Sequence, residues 1–233
     1  MDVGQEAHDW YDGWIEDAED MKVRIIADTH FNHDEKGGVM RTKCLRPEDF
    51  TNHTLHNWRT RCSPQDLVIH IGDVIIGPKR NIKAILSDLP GRKILVRGNH
   101  DRDKSCLWWM ENGFDFACDH FVFRNILFTH EPANAIIRAN GYKPYEEIVY
   151  PSDLPYGCEI NIHGHLHNIW DGFMDEARFA RDEKLMGFDW KTKLKYPWQR
   201  LLALEYTDYS PVELSEFLDH PAKYQSTGPR IKV

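Results

Sequence analysis

The sequence predicts an α/β chain built on a partly parallel sheet. From Val23 onward, short apolar runs alternate with stretches of helical spacing. The runs end in polar or glycine-bearing turns, the punctuation of strand-to-helix crossovers. With 233 residues, of which 41% are hydrophobic, the chain can bury a sizeable core as one domain or at most two small ones.

Residues 1–21 read as a separate element. Trp10, Trp14 and Ala18 recur at i, i+4 and i+8 while Asp and Glu fill the other faces, which describes a short acidic amphipathic extension. The body is expected over residues 22–233. Val23–Ala27 reads as a strand, Pro47–Arg61 as a helix and Leu67–Ile71 as a buried strand. Pro78–Leu89 reads as a helix with Ile82, Ile85, Leu86 and Leu89 on one side, followed by a strand at Lys93–Val96. Further strands are expected at Phe121–Phe123, Ile126–Thr129, Glu159–His163 and Leu201–Tyr206. Ser210-Pro211-Val212-Glu213 has the form of a helix N-cap, a first-turn proline and a capping-box Glu. An aromatic, charged insert at about residues 168–200 carries Trp170, Trp190 and Trp198.

Composition excludes several function classes. The chain has 29 Lys and Arg against 37 Asp and Glu, but residues 1–22 hold eight of the acids and one Lys, leaving a body of 28 against 29. A nearly neutral body argues against a groove for long nucleic acid, which needs a basic stripe to release counterions. No apolar run approaches the roughly 18 residues of a membrane span, and the start is neither basic nor apolar enough for a signal peptide, so a cytoplasmic location is expected. The five cysteines are odd in number, widely spaced and free of C-x-x-C pairs, which suits reduced structural thiols. Nothing in the composition indicates an oligomeric state.

The chemistry gathers at strand ends. Asp28-Thr29-His30 closes the first strand, Gly72-Asp73 the second, Gly98-Asn99-His100-Asp101 the third, Thr129-His130 a later one, and His163-Gly164-His165-Leu166-His167 another. Each cluster alone is ordinary, since Asp after a strand is usually a turn former and a lone buried His a hydrogen-bonded core residue. Five in succession would converge on one crevice if the strands share a sheet. Without a cation, gathering those carboxylates and imidazoles would cost several kcal/mol of desolvation. Mixed His, Asp and Asn donors with no thiolate suit Mn, Fe, Ni or Zn. Seven candidate ligands are too many for one ion, whereas two ions about 3.5–4 Å apart sharing a carboxylate would use them all.

As a set, these blocks resemble the calcineurin-like metallophosphoesterases, whose pattern runs D-x-H, G-D, G-N-H-D/E, H and G-H-x-H in that order. The resemblance spans about residues 22–218. It is nearest to a compact bacterial and phage subgroup with a D-x-H-F-x-H start, an Arg-Pro soon after and H-G-H-L-H near the end. Here these are Asp28 to His33, Arg46-Pro47 and His163 to His167. Position 32 is Asn where that pattern has Gly, and the insert after His167 is longer than usual.

The resemblance implies two packed mixed β-sheets flanked by helices, in α/β/β/α layers. It implies two divalent transition-metal ions, Mn first, with Fe, Ni or Zn as alternatives. Asp28, His30 and His167 would hold one ion, Asn99, His130 and His165 the other, and Asp73 would bridge them. A hydroxide between the ions would attack phosphorus in line. His100 would protonate the leaving oxygen, with Asp101 fixing its tautomer. Asn32, His33 and Arg102 are candidate substrate contacts, and Arg46 and Arg97 candidate phosphate binders by charge type, with ordinary salt bridging as the competing expectation. His70 and His163 are expected to be structural or to support the ligands. The implied function is hydrolysis of a phosphate ester, leaning to phosphodiesters of nucleotides or short oligonucleotides because the insert's Trp residues could stack bases. The alternatives are a phosphomonoesterase on a small substrate and a non-catalytic protein-binding module on the same fold.

Overall fold

A computed structural model describes residues 21–133, 154–168 and 198–224 of the chain. The extension expected at 1–21, apart from Met21, and the insert with Trp170 and Trp190 lie outside the described residues.

Two sheets carry the architecture. The first has the order β4-β3-β2-β1-β9, from Val23–Ile26 (β1), Leu67–His70 (β2), Arg92–Val96 (β3), Phe116–Cys118 (β4) and Val212–Glu213 (β9). β1 to β4 pair in parallel and β9 closes the β1 edge antiparallel. The second sheet has the order β5-β6-β7-β8, from His120–Phe123 (β5), Ile126–Thr129 (β6), Ile160–His163 (β7) and Gln199–Leu201 (β8). Its β5–β6 pair is an antiparallel hairpin, and β6, β7 and β8 run parallel. The helices are Val39–Thr42 (α1), Phe50–Arg61 (α2), Ile82–Ser87 (α3), Cys106–Glu111 (α4) and Leu214–Asp219 (α5). Among the described residues no helix is long and apolar enough to cross a membrane.

The period of two along each strand explains the layers. Val23 and Ile25 of β1, Leu67 and Ile69 of β2, and Ile94 and Val96 of β3 meet Phe121, Phe123, Ile126, Phe128 and Ile162 between the sheets. The intervening Ile26, Val68 and Leu95 face the other way, against Leu55 and Trp58 of α2, Ile82 and Leu86 of α3, and Trp109 of α4. Both faces of the first sheet are therefore covered, which is why β2 reads as a continuous apolar run rather than an alternating one. On the outer face of the second sheet, Leu127 packs with Leu154, Cys158 and Trp198. Trp198 is thus a core residue rather than a stacking platform. All five cysteines are unpaired thiols.

Two expectations are corrected. The strand expected at Leu201–Tyr206 ends at Leu201, and Leu204–Tyr206 forms a 3-10 turn. The capping-box segment is not the start of a helix: Val212 and Glu213 pair with Ile25 and Arg24, and α5 begins only at Leu214. Covering the otherwise open β1 edge outweighs the local capping preference. Ser210 is buried, and its hydroxyl donates to the Asp208 carbonyl instead of capping a helix.

Candidate metal centre

The parallel strands deliver five loops to one place. The chain leaving β1 zips onto the chain leaving β2: Asp28 N–H donates to the Gly72 carbonyl, His30 N–H to Asp73 and Phe31 N–H to Val74, each at 2.9 Å. The second sheet is tied in by Gly164 N–H, which donates to the His130 carbonyl at 3.0 Å. The His165 amide donates to Asp28 Oδ2 at 3.0 Å, and His130 Nδ1 donates to the Ile71 carbonyl at 2.9 Å, which turns Nε2 towards the centre. Glycine is required at two points by close approach. A Cβ on Gly98 would lie 2.2 Å from Asp73 Oδ1, and one on Gly164 2.4 Å from Asp28 Oδ2.

All seven expected ligands are brought together, in two groups. Asp28, His30 and His167 place donor atoms within 4.8 Å of one another, and so do Asp73, His130 and His165. Asn99 Oδ1 lies 3.0 Å from both His130 Nε2 and His165 Nδ1. Asp73 Oδ2 stands between the groups, 3.3 Å from His130 Nε2 and 3.6 Å from His30 Nε2.

These residues fit divalent cations. Both ring nitrogens of His30 are buried without a hydrogen-bond partner, an arrangement that costs about 1–3 kcal/mol unless an electrophile uses the lone pair. Burial drives the His30 imidazole well below its usual range, so the ring is neutral and its lone pair is available. Burial pushes Asp28 up to about 6, against the pull of His167 and His130. Burial also opposes ionisation of Asp73, but hydrogen bonding and charge from His130 outweigh it and hold the carboxyl at about 2. His130 itself is penalised by burial, yet Asp73 and Asp28 lift it to about 9. Burial and the charge on His130 lower His165 to about 4.

The remaining candidates separate. His100 is half exposed at the mouth, its Nε2 4.0 Å from Asp73 Oδ2 and its N–H donating to Asp73 Oδ1 at 2.9 Å. Asp101 does not hold the His100 ring. Its buried carboxylate accepts the amides of Asp73, Gly98 and Val74 at 2.7, 2.9 and 3.1 Å, clamping the β2 and β3 loops together. Asn32 has φ 64°, a conformation open to Gly and Asn, which explains the exchange at that position, and its amide donates to Asn81. His33 Nε2 lies 3.2 Å from Glu35. Arg102 is engaged by both oxygens of Glu131 at 2.8 Å, and Arg97 pairs with Asp119.

Arg46 is no phosphate binder. It is wholly buried, with Nε donating to Glu205 Oε1 at 2.8 Å and Nη2 to the Asp28 carbonyl at 2.8 Å, and Nη2 lies 3.2 Å from His167 Nδ1. The thiol of Cys44, His167 and Glu205 also place donor atoms within 4.8 Å of one another, but the Arg46 guanidinium is the cation among them. His70 and His163 are buried, with His70 Nε2 bonded to Thr29 Oγ1 and His163 Nδ1 to the Gly164 carbonyl. Glu205 and Lys79, described below, carried no sequence signal: one follows an apolar run and the other sits among surface-like charges.

The sequence pattern of the calcineurin-like phosphoesterase family matches residues 21–169. An uncharacterized protein from Methanocaldococcus jannaschii is 32% identical over 106 residues, covering 42% of this chain and 58% of that protein. The chain thus spans less than two thirds of that relative's length. A solved structure of a protein of unknown function from Aquifex aeolicus shares the fold, with a TM-score of 0.55 at 23% identity over 85% of this chain and 98% of that one.

Proposed function

The chain belongs to the calcineurin-like phosphoesterase family, and we propose that it is a binuclear phosphodiesterase acting on nucleotides or short oligonucleotides. The observation that carries this reading is the position of Asp73 Oδ2 between two complete donor groups. Asp28, His30 and His167 would hold one ion and Asn99, His130 and His165 the other, with Asp73 shared and manganese the first metal to test. When bound, divalent cations supply Lewis acidity, lowering the pKa of water and neutralising charge on the phosphoryl oxygens.

The protein's own groups do the rest. The Asp101 clamp and the paired β1 and β2 loops fix the donors before substrate arrives, which removes reorganisation from the barrier. His100, exposed at the mouth and next to the shared carboxylate, donates its ring proton to the leaving oxygen as the bond from phosphorus to that oxygen breaks and the bond from water oxygen to phosphorus forms; the proton lost by the water passes to solvent, from which the half-exposed ring is reprotonated. The diester preference is supported by the state of the nominated cations. Arg102 is neutralised by Glu131, Arg97 by Asp119 and Arg46 by Glu205, so none is left to cage a doubly charged terminal phosphate.

The test uses metal-stripped protein reconstituted separately with Mn, Ni, Zn and Mg and assayed on paired chromogenic mono- and diester phosphates. Restoration by a transition metal with faster diester turnover is expected. A monoester preference would overturn the diester assignment, and silence in protein shown to bind two ions would overturn the hydrolase.

A further inference from the structure

The geometry points to Lys79 as the residue that positions His100 for proton transfer. The inference rests on the assignment of His100 as the proton donor and adds how that ring is held, since Asp101 does not hold it.

Lys79 lies between β2 and α3, on a different loop from His100. Its side chain is only 9% exposed, unusual for a lysine. An ammonium has three N–H donors, and two oxygen acceptors and an aromatic ring surround this one. Nζ donates to the His100 carbonyl at 2.9 Å, pairs with the Asp103 carboxylate, and sits 5.2 Å from the centre of the Trp109 ring. Trp109 is itself fully buried, and its indole N–H donates to the Asp101 carbonyl at 3.0 Å. The lysine is therefore seated on a rigid floor that also grips the neighbouring peptide.

The consequence falls on His100. Its N–H is fixed to Asp73 Oδ1 and its C=O to Lys79 Nζ, both at 2.9 Å. With the peptide groups on either side of its Cα pinned, one to the centre and one to Lys79, the ring keeps only its two side-chain torsions. Its neighbours are the edge of His30, with ring centroids 5.6 Å apart, and Asp73 Oδ2 at 4.0 Å. A half-exposed acid with so few ring contacts must be aimed through its backbone. Misplacing a reacting group by about 1 Å can cost on the order of 100-fold in rate.

Protonation of the leaving oxygen matters most when that oxygen is basic, so the experiment varies the leaving group. Wild type, Lys79→Met, Lys79→Arg and His100→Ala, all full-length and reconstituted with Mn, are assayed on diesters running from nitrophenyl to alkyl leaving groups. Lys79→Met is expected to lose about 10–100-fold in kcat on alkyl esters and under about 3-fold on nitrophenyl esters. KM should stay near wild type, and Lys79→Arg should recover most of the loss. His100→Ala should show the same slope more steeply. A second readout needs no metal: in the metal-free protein the His100 ring resonances should shift or broaden in Lys79→Met but not in the exposed control Lys83→Met. Should Lys79→Met fail to fold, Asp103→Asn, which removes an exposed partner of the same ammonium, is expected to tilt the series in the same direction. A loss uniform across leaving groups, or unmoved His100 resonances, overturns the role of Lys79. A flat series for His100→Ala overturns the assignment of His100 itself, and the role of Lys79 with it.

Discussion

Arg46 and Glu205 form an ion pair with no exposed side-chain surface, and removing one partner should cost far more than removing both. Two estimates of the magnitude agree. Stripping one partner from a buried pair typically costs about 3–5 kcal/mol because the other charge is left uncompensated. Burial pushes Glu205 up, but Arg46 and then His167 outweigh it and hold the carboxyl at about 2 instead of its usual 4.5, which corresponds to roughly 3 kcal/mol. The depressed value sets the sign: the contribution is complete above about pH 4.5 and fades as pH falls through 2. Glu205→Met should therefore destabilise by about 3 kcal/mol, or about 6–12 °C in Tm for a chain of this size. Arg46→Met should cost somewhat more, because the carbonyls of Asp28 and Thr29 also lose their donors. The double variant should be less destabilised than Arg46→Met alone, which requires a coupling larger than about 3 kcal/mol in the double-mutant cycle. The assay is urea and thermal unfolding at pH 7 with a chelator present, so that ion binding does not enter the stability. Additive single effects, with coupling under about 0.5 kcal/mol, would refute the reasoning.

Asp73→Asn should weaken occupancy at both donor groups, and elemental analysis showing two ions with full turnover would contradict a shared carboxylate. His100→Ala should keep metal content near wild type while lowering turnover about 10²–10⁴-fold on esters with basic leaving groups; steady-state kinetics beside elemental analysis decides this. Gly98→Ala drives a methyl towards Asp73, whose Oδ1 and N would lie 2.2 and 2.6 Å away. Its metal content should fall well below wild type, and a variant that loads normally would show that the loop yields without cost. Asp101→Asn places amide hydrogens against a cluster of three backbone N–H groups, so a loss of about 2 kcal/mol is expected in urea unfolding.

What was legible in the sequence was whatever repeats at fixed local spacing. The strand ends announced themselves because the apolar runs stop at clusters of Asp, Asn or His, and the unbroken apolar run at Leu67–Ile71 marked β2 as a buried strand. Ile126–Thr129 was located to the residue. What escaped depends on distant partners. Glu205 reaches Arg46 across 159 positions, so no local pattern separates it from a surface acid, and Asp101, though its motif marks it, reaches Val74 across 27, a partner the motif does not show. The expectation that Asp101 orients His100 failed for the same reason: adjacency in sequence is not adjacency of side chains, and the carboxylate turns inward to unpaired amides. The capping box at Ser210 was a sound local signal overridden by the need to cover the β1 edge.

The spacing of the candidate donors has a backbone cause. Asp28, His30, Asp73, His165 and His167 all have positive φ, at 54, 44, 56, 69 and 48°. For residues with a Cβ each such turn costs on the order of 1–2 kcal/mol, so the chain holds several kcal/mol of unfavourable conformation at its strand ends. In D-x-H and H-x-H the left-handed residues stand at i and i+2, with both side chains facing the centre. Thr29, between the first pair, turns away to donate to the Val74 carbonyl and bond His70. Leu166, between the second, is buried. The intervening residue is thus the anchor, and the flanking residues take the strain. Such a conformation persists only when the surroundings over-determine it. The zipped β1 and β2 loops, the Asp101 clamp, and Arg46 on the Asp28 and Thr29 carbonyls supply that constraint. The buried polar groups that contribute no donor to the centre therefore serve it by holding the backbone of those that do.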